Sequence, residues 1–229
     1  MNKFLGRAIL AAILMGGGSQ LLCVARTVPK NDPQVLQEQL FEAAKDGNIK
    51  AVRALVGMPG VCLDAQDGFG RTALAWAVMF GWVDVTLALT QAGAQLDTQD
   101  ASGFTALMRA VLRGDEEVVK ILVSAGAKVN LRDEHGLTAL IWAANYGFAS
   151  IVRILVGVKG IKVNAQDDEG STALMVAMKK GRKEVVKALL ELPSVDLLIR
   201  DKGGKTAMER VRNKQTGAAM QALVDVYRK

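Results

Sequence analysis

Histidine occurs once in the 229 residues, as His135, and cysteine only twice, as Cys23 and Cys62. A nucleophile–histidine–acid triad would have to be built on that single imidazole, and neither a Gly-x-Ser-x-Gly elbow nor a His-Glu-x-x-His helix is present to support it. No second histidine or cysteine stands near His135 to complete a metal site. Catalysis, a metal and a cofactor are therefore not expected. Aromatic residues are also sparse: six Phe, two Tyr and three Trp. No Asn-x-Ser/Thr sequon occurs, and no acidic residue appears before Asp32.

That acid-free start has a shape of its own. Lys3 and Arg7 precede an apolar run from Ala8 to Met15, which continues through glycines to Leu21, Leu22 and the small-residue ending Cys23-Val24-Ala25. A short basic region, an apolar centre and small residues at the end resemble a secretory signal peptide cleaved after Ala25. The expected location is outside the cytoplasm, periplasmic or secreted. An uncleaved anchor or lipid attachment at Cys23 is the alternative, although Leu22 is bulky for a lipidation signal. Removing residues 1–25 takes two of the 29 basic residues and none of the 23 acidic ones, leaving a mild net charge of +4. It also leaves Cys62 as the last cysteine, so no intramolecular disulfide is available. Set between Val61 and Leu63, Cys62 is expected to be a small buried residue.

With 50% apolar and 23% charged residues, the remainder is composed as a folded protein. Its organisation is periodic. The phrase Asp-x-x-Gly-x-Thr-Ala-(Leu/Met) begins at Asp67, Asp100, Asp133, Asp167 and Asp201, with spacings of 33, 33, 34 and 34 residues. Such a period marks a stacked array in which no unit buries its apolar face alone. Within residues 100–132, Thr105 stands where it can cap a helix, and Leu107, Ala110 and Val111 fall on one face of it. Gly114 ends this helix. Asp115, Glu116 and Glu117 open a second one, whose buried stripe is Val118, Val119, Leu122 and Val123, and Gly126 closes it. Asn, Asp and Gly residues then supply turn chemistry for a projecting hairpin between units. Helices of about nine residues are marginal alone, so each pair must lean on its neighbours.

These residues resemble the ankyrin repeat family. The resemblance implies an all-α repeat solenoid, an ankyrin stack of helix–turn–helix units each with a hairpin or loop. It covers 34–229: an amino-terminal unit at 34–66, full repeats at 67–99, 100–132, 133–166 and 167–200, and a carboxy-terminal cap at 201–229, after a linker at 26–33. The family's Thr-Pro-Leu-His phrase is here Thr72-Ala73-Leu74-Ala75 and its counterparts. The cap survives without the histidine that links repeats in the family. Weaker coupling is expected, offset by apolar contact from Ala75, Met108, Ile141 and Met175. Leu198 replaces an Asp or Asn found in the other units, so distortion is expected there. Two nucleotide-motif look-alikes, Gly68-x-Gly70-x-x-Ala73 and Gly204-Lys205-Thr206, are absorbed by the repeat. The first has no preceding buried strand, and the second has Ile199 where a phosphate loop needs glycine.

The family usually docks partners on hairpin tips and on the concave face of the first helices. By position in the repeat, the tip candidates are Phe69, Arg71, Phe104, His135 and Leu137, with Ser102, Glu134, Asp168, Glu169 and Ser171 beside them. Candidates at the helix ends are Met79, Phe80, Leu112, Arg113, Asn145, Tyr146, Lys179 and Lys180. Four of these account for half of all Phe and Tyr residues, and aromatic anchors on a polar strip have the composition of a protein interface. The alternative is that they only tighten the stack. Trp76 and Trp142 are expected in the core. A protein partner and a monomer are expected. No membrane insertion is expected once the leader is removed, nor nucleic-acid binding, for which the basic residues are too dispersed.

Overall fold

The computed structural model describes residues 32–211 and 214–227. The expected leader, 1–25, lies outside them, as do residues 26–31 of the linker and the side chain of Gln215. With Val211, Gln215 replaces the Ala and Gly usual in the other units, which marks the last one as a terminal cap by sequence. Ten helices form five antiparallel pairs: α1 (Pro33–Lys45) with α2 (Ile49–Leu55), α3 (Ala73–Phe80) with α4 (Val83–Gln91), α5 (Ala106–Arg113) with α6 (Glu116–Ser124), α7 (Ala139–Tyr146) with α8 (Ala149–Val156), and α9 (Ala173–Lys180) with α10 (Lys183–Leu190). First helices stack on first helices and second on second, so the protein is an all-α repeat solenoid. The last unit departs from the pattern. After Thr206 only a 3-10 turn forms, Met208–Arg210, and then a single longer helix, α11 (Lys214–Tyr227), packs on α10.

Local chemistry sets the helix boundaries. The hydroxyls of Thr72, Thr105, Thr138 and Thr172 each accept the amide of the third residue onward, at 3.2–3.3 Å, which satisfies one of the orphan donors of the first turn. At the other end the chain turns back through a left-handed glycine; Gly114 has φ +72°. Second helices start differently. Asn48 and Asp115 cap α2 and α6, whereas Trp82, Phe148 and Arg182 occupy the same position before α4, α8 and α10 and give no side-chain cap. These three large residues reach back over the cap glycine of the preceding unit. The Trp82 ring lies where a side chain on Gly47 would have to go, and its indole donates to the Lys45 carbonyl at 2.7 Å.

The core is one layer per repeat. Leu40, Leu74, Leu107, Leu140 and Leu174 stand at equivalent positions on the first helices, and Leu55, Leu89, Leu122, Leu155 and Leu189 on the second, all buried. Burial of such side chains, at about 1.5–3 kcal/mol each, supplies what short helices lack. Ala75, Met108, Ile141 and Met175 are buried between units. Most hydrogen bonds between repeats come from three other rows. The side-chain amides of Gln66, Gln99 and Gln166 donate both to the glycine carbonyl of their own turn and to the carbonyl one repeat on. Asp64, Asp97, Asn130 and Asn164 accept a backbone amide from the next unit. The turns also bond directly to one another, the Ala101 amide to the Phe69 carbonyl at 3.0 Å, with counterparts at Glu134, Asp168 and Lys202.

Several expectations are corrected. Among the described residues no strand forms: each expected hairpin is a tight Asp-x-x-Gly turn laid against its neighbour. Cys62 is exposed, because it lies in the loop after α2 while Val61 and Leu63, on either side, pack inward. Leu198 is exposed, and its side chain offers no acceptor to the next unit where Asp64, Asp97, Asn130 and Asn164 each do. Ser171 is buried, not at a tip. Trp76 and Trp142 are only half-buried, for a reason that belongs to the binding face.

Candidate protein-binding face

Each Asp of the repeated phrase organises the turn that carries the tip residues. In the first full repeat one Asp67 oxygen accepts the amides of Phe69 and Arg71 at 2.8 and 3.0 Å, and the other accepts the Trp76 indole at 2.9 Å. Burial alone would raise the Asp67 pKa, but these amides, the indole and the Arg71 charge outweigh it and hold the carboxyl below the ordinary 3.8. Asp133 repeats the arrangement with His135, Leu137 and Trp142. At Asp100 and Asp201 a guanidinium takes the indole's place, from Arg109 and Arg210. The Asp201 carboxyl is likewise lowered, chiefly by the Lys205 amide and then, against burial, by the bond and charge of Arg210. The Thr206 amide and hydroxyl, then Arg200, lower Glu209 at the start of the 3-10 turn.

This use of the position nine residues after the Asp explains the tryptophans. An indole tied to a turn carboxylate is drawn out of the apolar stripe toward the turn, so it is half in and half out. The sequence signal was a donor at that spacing in four of the five phrases, Trp76, Arg109, Trp142 and Arg210, with Val176 the exception.

Around the two indoles the face is built of rings and cations. Trp76 stacks on Phe80 at 5.8 Å between centroids. The Arg71 guanidinium lies 4.7 Å from both the Phe69 and Trp76 rings, and Lys45 lies 4.7 Å from Trp76. One unit further, Arg109 lies 4.3 Å from Phe104, which meets Trp142; Trp142 stacks on Tyr146, and Tyr146 on Phe148. Sequence reasoning placed Phe69, Arg71, Phe80, Phe104 and Tyr146 on this strip; it missed Lys45, Trp76, Arg109, Trp142 and Phe148. Cation–ring contacts of this kind contribute about 0.5–1 kcal/mol at exposed sites, and here they hold long side chains in fixed places.

Exposure separates anchors from supports. Phe69 is 63% exposed, Phe80 49% and Tyr146 44%, and Arg113, His135 and Lys180 are exposed as well. Arg71, Met79, Phe104, Leu112, Leu137 and Lys179 are half-buried. His135 stands at its tip with Glu134 at 3.7 Å. Arg113 reaches back to donate to the Met79 carbonyl at 2.8 Å, across the end of α3. Among the described residues no three of His, Cys, Asp and Glu come together to hold a metal. The arrangement offers apolar ring surface and cations held against it.

A family model described as ankyrin repeats (3 copies) matches residues 40–133 and 128–201. Among solved structures, the crystal structure of EF0377, an ankyrin repeat protein, is similar with a TM-score of 0.76 and 26% identity, over 82% of this chain and 97% of that one. No curated protein sequence matches the chain.

Proposed function

The chain belongs to the ankyrin repeat family, and on that premise we propose that it is an exported, non-catalytic scaffold that binds a protein partner through its turn tips and the inner face of its first helices. Ankyrin repeats generally mediate protein–protein interaction. The observation that carries the reading to this face is the row of exposed rings, Phe69, Phe80 and Tyr146, backed by half-buried indoles and cations. Large aromatic side chains held in place lose little entropy on binding, and a desolvated ring can contribute 2 kcal/mol or more, by the order of magnitude seen at hot spots. Export is supported by the basic and apolar pattern of residues 1–25. Among the described residues no helix is long and apolar enough to cross a membrane.

Recovery of partners from the native compartment, by the protein and by a Phe80→Ala/Tyr146→Ala variant, tests the binding face. Retained folding with lost recovery is expected; equal recovery by both would overturn it. Mass spectrometry of the purified native protein tests export, with Arg26 expected as the first residue. A chain that keeps residues 1–25 would overturn cleavage and favour a tethered accessory role.

A further inference from the structure

The residue immediately before the cap glycine is exposed in each of the five helix pairs: Asp46, Phe80, Arg113, Tyr146 and Lys180. Read along the stack this row runs from an acid, through rings flanking a cation, to a cation. The row beside it, one residue earlier, reinforces the basic end with Lys179 and the centre with Met79 and Leu112, whereas its Lys45 is neutralised by Glu42 at 2.7 Å. Asp46, Arg113 and Lys180 form no ion pair among the described residues. The turn carboxylates of Asp67, Asp100 and Asp133 are engaged by amides, indoles or Arg109 and present little free negative charge to this face.

We infer that the inner face takes one extended acidic segment of its protein partner in a single orientation. Its acidic end lies over Lys179 and Lys180, an acid faces Arg113, apolar side chains sit on Phe80 and Tyr146, and one basic residue at the far end meets Asp46. The inference rests on the inner-face binding proposed above and adds the chemistry of the occupant and its direction. Charge complementarity carries it. A uniformly acidic segment would be repelled at Asp46, while a basic one would be repelled at Arg113, Lys179 and Lys180. Length follows from packing: neighbouring helices lie about 8–10 Å apart, so four steps from Asp46 to Lys180 span roughly 32–40 Å. An extended chain covers this with about 10–12 residues at ~3.3 Å each. A helix would need about twice that number, since it rises only ~1.5 Å per residue.

The test uses phage-displayed random dodecapeptides selected on the full chain, on Phe80→Ala/Tyr146→Ala, and on the charge-inverted Asp46→Lys/Lys180→Glu. Affinities of the winning peptides follow by fluorescence anisotropy, and circular dichroism shows each variant folded. Winners should be acidic with apolar positions and a Lys or Arg confined to one end. They should weaken about thirtyfold on the ring variant and about tenfold on the charge-inverted one, whose own winners should place their charges the opposite way round. Winners that need Phe80 and Tyr146 yet ignore charge inversion would overturn the orientation and leave protein binding standing. Winners indifferent to the rings would overturn the face itself. Displacement of the peptides by labelled dT12 at lower concentration than by unlabelled peptide would overturn the inference in favour of a single-stranded nucleic acid.

Discussion

At the scale of single residues, the repeat acts as its own control, because each position is sampled several times in one molecule. The second helices carry Val52, Thr86, Val119, Val152 and Val186 at one fully buried position. Thr86 alone brings a hydroxyl there, and its Oγ1 finds no hydrogen-bond partner among the described residues. Valine has nearly the same shape and nothing to leave unpaired. Thr86→Val should therefore stabilise the protein by about 1 kcal/mol, read as a higher midpoint in urea. Glycines give a second comparison. Gly103 and Gly126 both have positive φ, but a side chain on Gly103 would stand 2.8 Å from the Glu134 amide nitrogen, whereas Gly126 faces open space. Gly126→Ala should cost about 1 kcal/mol from the left-handed backbone alone, and Gly103→Ala about 3, since the next turn must also move. Equal losses in the two variants would show that the turns do not pack as tightly as the backbone bonds between them imply.

At the scale of the element, the turn and the helix it opens form one unit held by the phrase's Asp. Asp67 has its folded pKa lowered below 3.8, so its contribution to stability is complete above that value and is lost as pH falls through the lowered one. Asparagine would keep the acceptor for the amides of Phe69 and Arg71 but lose the charge and turn an N–H or a weaker acceptor toward the Trp76 indole. Asp67→Asn should therefore melt lower than the parent at pH 7, with the gap closing below pH 3.8; a gap constant with pH would mean the carboxylate charge is irrelevant. Much of this element was legible beforehand, because the Thr cap, the terminal glycine and the apolar spacing each have one reading in a helix pair. What escaped was set by reach across space. The Trp76 and Trp142 positions fit an apolar stripe, and only the carboxylate nine residues earlier draws their indoles toward the surface. Cys62 was misread because small apolar neighbours in a loop alternate in and out, and a helical stripe gives no guide there.

At the scale of the whole molecule, an array with only nearest-neighbour contacts has a stability that is the sum of units and interfaces, and its ends open first. The interface between the first two units depends on a feature absent from the repeated phrase. Trp82 stands where helix caps usually stand, covers Gly47, and donates to Lys45 at 2.7 Å, tying α3–α4 to α1–α2. Phe148 and Arg182 repeat the device over Gly114 and Gly147, so the array is stapled at intervals by large side chains at one position. The same α1–α2 unit carries Asp46 and the Lys45–Glu42 pair, so a loosened first interface would also disorder the acidic end of the binding row. Trp82→Ala should leave the amides of α5 to α8 as protected from hydrogen exchange as in the parent. Those of α1 and α2 should lose about 1–2 kcal/mol of protection, the scale of a partly exposed aromatic contact with its hydrogen bond. Uniform loss along all ten paired helices would instead mean that the stack opens as one cooperative block.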